Sequence, residues 1–151
     1  CELRGIKLTR MVDISGKDHV NRKAVASGFI KLRGETLDKI REGEVPKGNV
    51  LSVAQTAGVM AVKNTPEIVP LTHPIPITGV EVNFDLKEDG IQVEVEVKSR
   101  GQTGVEMEAL TAVSAVLLTV WDMVKGFEKD ENGQYPLTKI SDVKVLEKVK
   151  E

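Results

Sequence analysis

One cysteine, one tryptophan, one tyrosine and three phenylalanines in 151 residues leave this chain without several kinds of equipment. The lone thiol, Cys1, has no partner for an internal disulfide, and no basic stretch leads into an apolar one, so a reducing cytoplasm is the expected compartment. Cys1 itself is expected to carry no role. Aromatics at 3% argue against the stacking platforms that hold single strands of nucleic acid. A net charge of -2 argues against general nucleic-acid binding, although a local Lys/Arg cluster can still hold one small polyanion. No apolar run approaches about 20 residues without a charge, so no membrane span is expected. Two histidines with no ligand-spaced pair make a metal site weak, and no Gly-rich phosphate loop of the Walker or dinucleotide type occurs.

What is present suffices for folding: 40% hydrophobic and 29% charged residues, in a length that suits one domain with a real core. Residues 1–20 read as an arm, with alternating apolar positions at Met11-Val12-Asp13-Ile14-Ser15 bounded by Gly5 and Gly16. Residues 21–151 read as a single domain. Val25, Phe29, Ile30 and Leu32 predict a strand over 23–33, with Gly28 a candidate bulge. A short helix is predicted over 34–40, stopped by Gly43 and a turn at Pro46-Lys47-Gly48. Val50, Val53, Ala54, Ala57, Ala61 and Val62 recur at helical spacing, and Gly58 among them implies close packing. Alternation at Val80, Val82, Phe84 and Leu86, then at Ile91, Val93, Val95 and Val97, predicts a hairpin with one dry face. A long apolar helix is predicted over 103–127, and a last strand with a bulge or register break near Ile140, Val143, Val145 and Val149. The order is strand, helix pair, strand, strand, helix, strand. It fits an α+β, ferredoxin-like split β-α-β sandwich: an antiparallel sheet with helices packed on one face and a polar face opposite.

Chemically capable groups concentrate on the long helix. Glu106 and Glu108 stand at its start and Asp122 and Lys125 farther down, in a run otherwise rich in Val, Leu and Ala where unpaired charge is costly to bury. Thr103-Gly104-Val105-Glu106 has capping-box spacing, which accounts for Glu106 structurally. Glu108 has no such account. At 100° per residue Asp122 falls only about 40° from Glu108, so one stripe carries both, with Lys125 to one side. A surface ion pair is nevertheless the commoner use of an Asp and a Lys three apart. His73 lies within Pro70-Leu71-Thr72-His73-Pro74-Ile75-Pro76, where a stiffened loop can fix an imidazole, although most such histidines are ordinary turn residues. Arg22, Lys23, Arg33, Lys47, Lys63 and Arg100 fall at element ends. Lys47 and Lys63 are the better placed for a ligand.

Six segments, taken together, resemble one family in matching order over about residues 11–148. They are Met11-Val12-Asp13-Ile14-Ser15, Arg33-Gly34-Glu35-Thr36-Leu37, Lys47-Gly48-Asn49-Val50, Ile68-Val69-Pro70-Leu71-Thr72-His73-Pro74, Thr103-Gly104-Val105-Glu106-Met107-Glu108-Ala109-Leu110-Thr111-Ala112 and Trp121-Asp122-Met123-Val124-Lys125. The family is cyclic pyranopterin monophosphate synthase, the MoaC-type protein of molybdenum cofactor biosynthesis, and the Gly-Val-Glu-Met-Glu-Ala-Leu run is highly specific to it. The resemblance implies a lyase acting after a radical enzyme has cyclised GTP: 3′,8-cyclo-7,8-dihydro-GTP is rearranged to cyclic pyranopterin monophosphate with release of pyrophosphate. It implies Asp122, Lys125 and Lys47 as catalytic residues and Leu71, Thr72, His73, Met107 and Glu108 as substrate contacts. Glu106, Arg22, Arg33 and Lys63 match further pocket positions. It also implies a homohexamer of three dimers with pockets shared across dimer interfaces, and a small-molecule substrate rather than nucleic acid or membrane. No metal or cofactor is implied, beyond the Mg²⁺ that a triphosphate can bring.

Three departures from the family pattern stand out. Thr72 replaces a frequent cysteine, Gln102 stands where many members have a basic residue, and a divergent C-terminus around Ile140–Val145 replaces a Gly-rich Lys-Ser tail. Two other classes remain open on sequence. A non-catalytic ligand-binding module would lose no turnover on changing Asp122 or Lys125, and a metal-dependent nucleotide hydrolase would be silenced by a chelator.

Overall fold

In the computed structural model, which describes residues 8–151, four strands alternate with helices. They are β1 (Val20–Lys31), α1 (Gly34–Glu42), α2 (Val50–Lys63), α3 (Thr65–Ile68), β2 (Ile77–Leu86), β3 (Gly90–Gly101), α4 (Glu106–Glu128) and β4 (Lys139–Lys150). Cys1 and the first residues of the arm lie outside the described range. The strands form one antiparallel sheet in the order β2-β3-β1-β4, which is the ferredoxin-like α+β arrangement that the element order implies. The one-turn α3 has no periodic signal in the sequence.

Period-two alternation in β2 and β3 gives the sheet a dry and a wet face, while the central β1 is buried on both, Val25 and Ser27 included. Ala24, Ala26 and Ile30 of β1 and Val93, Val95 and Val97 of β3 are fully buried, and they join Ala109, Ala112, Val113, Val116, Leu117 and Val120 of α4 in one core. Glu81, Asn83, Gln92 and Glu94 are exposed opposite them. By length and composition α4 could cross a membrane, but its apolar residues are those of a core helix, spent against α2 and the sheet.

Two glycines set how closely this core closes. A Cβ on Gly58 of α2 would lie 2.7 Å from Val116 Cγ2, so the glycine lets α2 settle against α4. A Cβ on Gly28 of β1 would lie 2.7 Å from Val113 Cγ1 and 2.9 Å from Leu117 Cδ1. Gly28 also marks an irregularity, as expected of it. The β1–β3 ladder runs unbroken through Gly28 opposite Val93, but the β1–β4 register shifts between Ser27 and Phe29, at Gly28, where β4 carries the extra residue and Asp142 adopts φ 58°. Overpacking of this kind costs about 1–3 kcal/mol. Gly28→Ala should lower the denaturation midpoint accordingly, and an unchanged midpoint would mean that the helix seat is looser than described.

Other boundaries differ for identifiable reasons. The first strand covers Val20–Lys31 rather than 23–33, because Arg33 is already the N-cap of α1. Gly43 ends α1 with φ 69°, as its position suggested. Asn49 caps α2, its side chain accepting from the Ser52 N–H at 3.0 Å. Val53, expected in the apolar stripe of α2, is 44% exposed. The Thr103–Glu106 capping box does not form. Val105 is the N-cap of α4 and makes no side-chain cap bond, and the Glu106 carboxylate is engaged elsewhere.

Candidate functional site

The candidate residues gather at the two ends of α4. At its N-terminal end a cavity of about 360 Å³ is lined by Leu71, Thr72 and His73 of the proline-rich loop, by Glu106, Met107 and Glu108, and by Arg10, Val12, Ile14 and Lys17 of the arm. Thr72 donates its hydroxyl to Val69 O at 2.8 Å, closing the loop locally, so the hydroxyl at this departure from the family serves backbone geometry. A smaller hollow behind it, of about 270 Å³, brings Lys63 from the end of α2 to the far side of Glu108.

Two carboxylates two residues apart have unlike surroundings. Glu108 is 3% exposed, and burial pushes its carboxyl up, with the neighbouring Glu106 charge adding to the effect against its own backbone N–H. Burial pushes Glu106 up as well, but the Lys148 ammonium, its own backbone N–H and the Arg22 guanidinium outweigh this and leave it below the usual carboxylate range. Lys148 Nζ lies 2.7 Å from Glu106 Oε1, an ion pair outside hydrogen-bond alignment, since that oxygen has no hydrogen-bond partner. The Glu106 carboxylate folds back over Gly104, into space a Cβ there would occupy, so a side chain at 104 would displace the flexible end of Glu106. Arg22 donates Nε to Gly101 O at 3.0 Å and also lines a separate opening of about 290 Å³ beside Lys23 and Lys98.

Near the C-terminal end of α4, Asp122 accepts from Lys47 Nζ at 3.1 Å on Oδ2 and pairs with Lys125 Nζ at 3.1 Å on Oδ1. Lys47 also donates to the Asp122 carbonyl at 3.1 Å, which seats the Pro46-Lys47-Gly48 turn on the helix. Hydrogen bonds from Lys47 and then Lys125, followed by their charges, hold the Asp122 carboxyl below its ordinary range. All three side chains stay open to solvent. Arg33 is at this end too, donating its backbone N–H to Glu128 Oε2 at 3.1 Å.

Within one chain these groups therefore form two clusters. Glu108 and Asp122 do share a stripe, yet fourteen residues at 1.5 Å each separate them by on the order of 20 Å along the axis. Lys47, Asp122, Lys125 and Arg33 stand at one end. His73, Glu106, Glu108, Lys63 and their neighbours stand at the other.

Sequence reasoning missed Lys148, Glu128 and the cations of the arm. Lys148 pairs with Ala24 in the ladder, which turns it toward the helix-bearing face and the start of α4. The register break in β4 hides that placement from any period-two reading. Glu128 is fully buried and accepts from the Thr36 hydroxyl, from the Thr138 hydroxyl at 2.6 Å and from the Arg33 N–H. It gave no signal beyond being one more acid in a charged tail. Among the described residues, no three His, Cys, Asp or Glu side chains come together as a metal-holding group.

Known proteins share the sequence over most of its length. The MoaC family model matches residues 11–150. A Pyrococcus abyssi protein named "Probable cyclic pyranopterin monophosphate synthase" is 59% identical over 144 residues, covering 95% of this chain and 91% of the relative. Proteins of the same name from Pyrococcus horikoshii and Archaeoglobus fulgidus are each 60% identical, covering 95% and 93% of this chain and 91% and 90% of their own lengths. With a family model spanning nearly the whole chain and relatives this similar over their full extent, the chain belongs to the MoaC family.

Proposed function

We propose that this protein is a cyclic pyranopterin monophosphate synthase, converting 3′,8-cyclo-7,8-dihydro-GTP to cyclic pyranopterin monophosphate and pyrophosphate in molybdenum cofactor biosynthesis. The observation that carries the reading is the family match over residues 11–150, joined to a cavity that sets carboxylates and an imidazole among cations. The reaction opens a purine-derived ring, closes a pterin ring and closes a cyclic phosphate with pyrophosphate leaving. Each step moves protons on and off nitrogen or oxygen, which needs placed acids and bases.

In this reading Asp122 and Lys125 move protons, while Lys47 and His73 contact the phosphates. The active site is then composite. Lys47 and His73 stand at opposite ends of α4 in one chain, so one small substrate meets both only if a second copy lays its Asp122 end against the first copy's His73 end. Exposed apolar side chains around the cavity mouth, Val12 at 59%, Leu71 at 47% and Met107 at 41%, suit a surface that a second copy covers. A hexamer of three dimers in the cytoplasm is the assembly we assign, with any Mg²⁺ arriving on the triphosphate.

The test is incubation of the purified oligomer with the cyclised dihydro-GTP, following cyclic pyranopterin monophosphate and pyrophosphate together. Equimolar appearance of both is expected. A folded oligomer that binds the compound and releases neither product would leave a ligand-binding module as the better reading.

A further inference from the structure

We propose that Gln102 is a positioning residue that latches the N-terminal arm in place as one wall of the cavity before α4, an inference that rests on the reading of that cavity as the substrate site. Its side-chain amide Nε2 donates to two arm carbonyls, Ile14 O at 3.3 Å and Lys17 O at 3.1 Å. Those carbonyls are the two ends of one tight turn. The turn is already closed by the Lys17 N–H donating to Ile14 O at 2.9 Å and braced by the Ser15 N–H donating to Asp13 Oδ1 at 2.8 Å. The amide thus grips a preformed unit, and little chain entropy is left to oppose it.

Little else holds the arm. Outside the ladder that begins at Val20, these are the only hydrogen bonds among the described residues that join residues 8–19 to the rest of the protein. Leu8, Met11 and Val12 are 66%, 44% and 59% exposed and only Ile14 is half-buried, so apolar burial within the chain anchors it weakly. The consequence for the cavity is electrostatic. Arg10 and Lys17, both on the arm, are the permanently charged cations of a lining that otherwise carries Glu106 and Glu108. Freeing the arm takes two cations from the lining that favour a phosphate-bearing ligand and leaves Glu108 and the Lys148-paired Glu106 beside it.

The two bonds need only donors, and a lysine ammonium in place of the Gln102 amide has the donors to make both. A glutamate has none and would set its oxygens against both carbonyls.

The experiment compares the full-length parent with Gln102→Glu and Gln102→Lys by amide hydrogen exchange over residues 8–17 and by steady-state kinetics. Losing two hydrogen bonds should speed arm exchange by about tenfold in Gln102→Glu and raise KM by about tenfold, with kcat within about twofold of the parent. Gln102→Lys should stay within about threefold of the parent in both readouts. Unchanged arm exchange in Gln102→Glu overturns the latch, as does a released arm with KM unmoved or a loss confined to kcat. A parent without turnover counts against the functional reading alone, because exchange in the two variants still decides whether Gln102 holds the arm.

Discussion

Asp122→Ala, Lys125→Ala and Lys47→Ala should each lower turnover by about two to four orders of magnitude while leaving the fold intact. The size of the effect follows from what these groups are not doing. Their side chains are 58%, 44% and 48% exposed, and pairs in such positions contribute about 0–1 kcal/mol to stability. A structural role therefore predicts almost nothing measurable from their removal. A proton-transfer role predicts near-silence. In Asp122→Ala the two ammoniums also lose the carboxylate that holds both, so Lys47 and Lys125 repel one another and the turn at Pro46-Lys47-Gly48 is released from the helix side chain. Circular dichroism and denaturation midpoints matching the parent, with turnover lost, is the expected pattern. Asp122→Ala or Lys125→Ala retaining more than about a tenth of parent turnover would remove proton transfer from those two residues, and Lys47→Ala doing so would remove its phosphate contact.

Glu128→Ala should show the reverse: a large loss of stability. This side chain is fully enclosed and gathers the Arg33 N–H and the Thr36 and Thr138 hydroxyls, tying the end of α4 to the start of α1 and to the lead-in of β4. Truncation strands two buried hydroxyls and a part-buried N–H and opens a cavity, a cost on the order of 3 kcal/mol. For a chain of this size that corresponds to roughly 6–12 °C in Tm. Glu128→Gln keeps the volume and one carbonyl acceptor and should fall between parent and alanine. A Tm within about 2 °C of the parent for Glu128→Ala would mean that water or a shifted helix end satisfies those donors.

The fold was legible wherever side-chain period alone decides structure. The hairpin of β2 and β3, the long α4 and the order of elements follow from alternation and helical spacing, and the antiparallel split β-α-β sheet follows from that order. What was illegible depends on contacts between distant segments. Gly28 was legible as the place where the β1–β4 register shifts, but nothing local to it announces that it also seats Val113 and Leu117. Thr103 and Glu106 had capping-box spacing, but Lys148, forty-two positions on, provides Glu106 with a stronger partner. The helical wheel correctly put Glu108 and Asp122 on one stripe. It carries no information on what covers each end, so it could not tell that Glu108 is buried beside Pro74 and Ile75 while Asp122 is open. The bond between Gln102 and the arm was unreadable for the same reason, since an amide reaching two backbone carbonyls leaves no pattern in the residues it touches.

A composite active site, assembled from the Glu108 end of one copy and the Asp122 end of another, is tested directly by mixing two inactive variants. Glu108→Gln and Asp122→Ala proteins, each with little turnover alone, would be combined by joint refolding or co-expression so that subunits assort. Random pairing puts both substitutions into one shared site of each mixed dimer and leaves its other site wild-type, so about a quarter of all sites become intact. Recovery to about a quarter of parent turnover, with cyclic pyranopterin monophosphate and pyrophosphate formed together, is the predicted result. A mixture no more active than its separate components, with mixed oligomers present, would contradict the composite site.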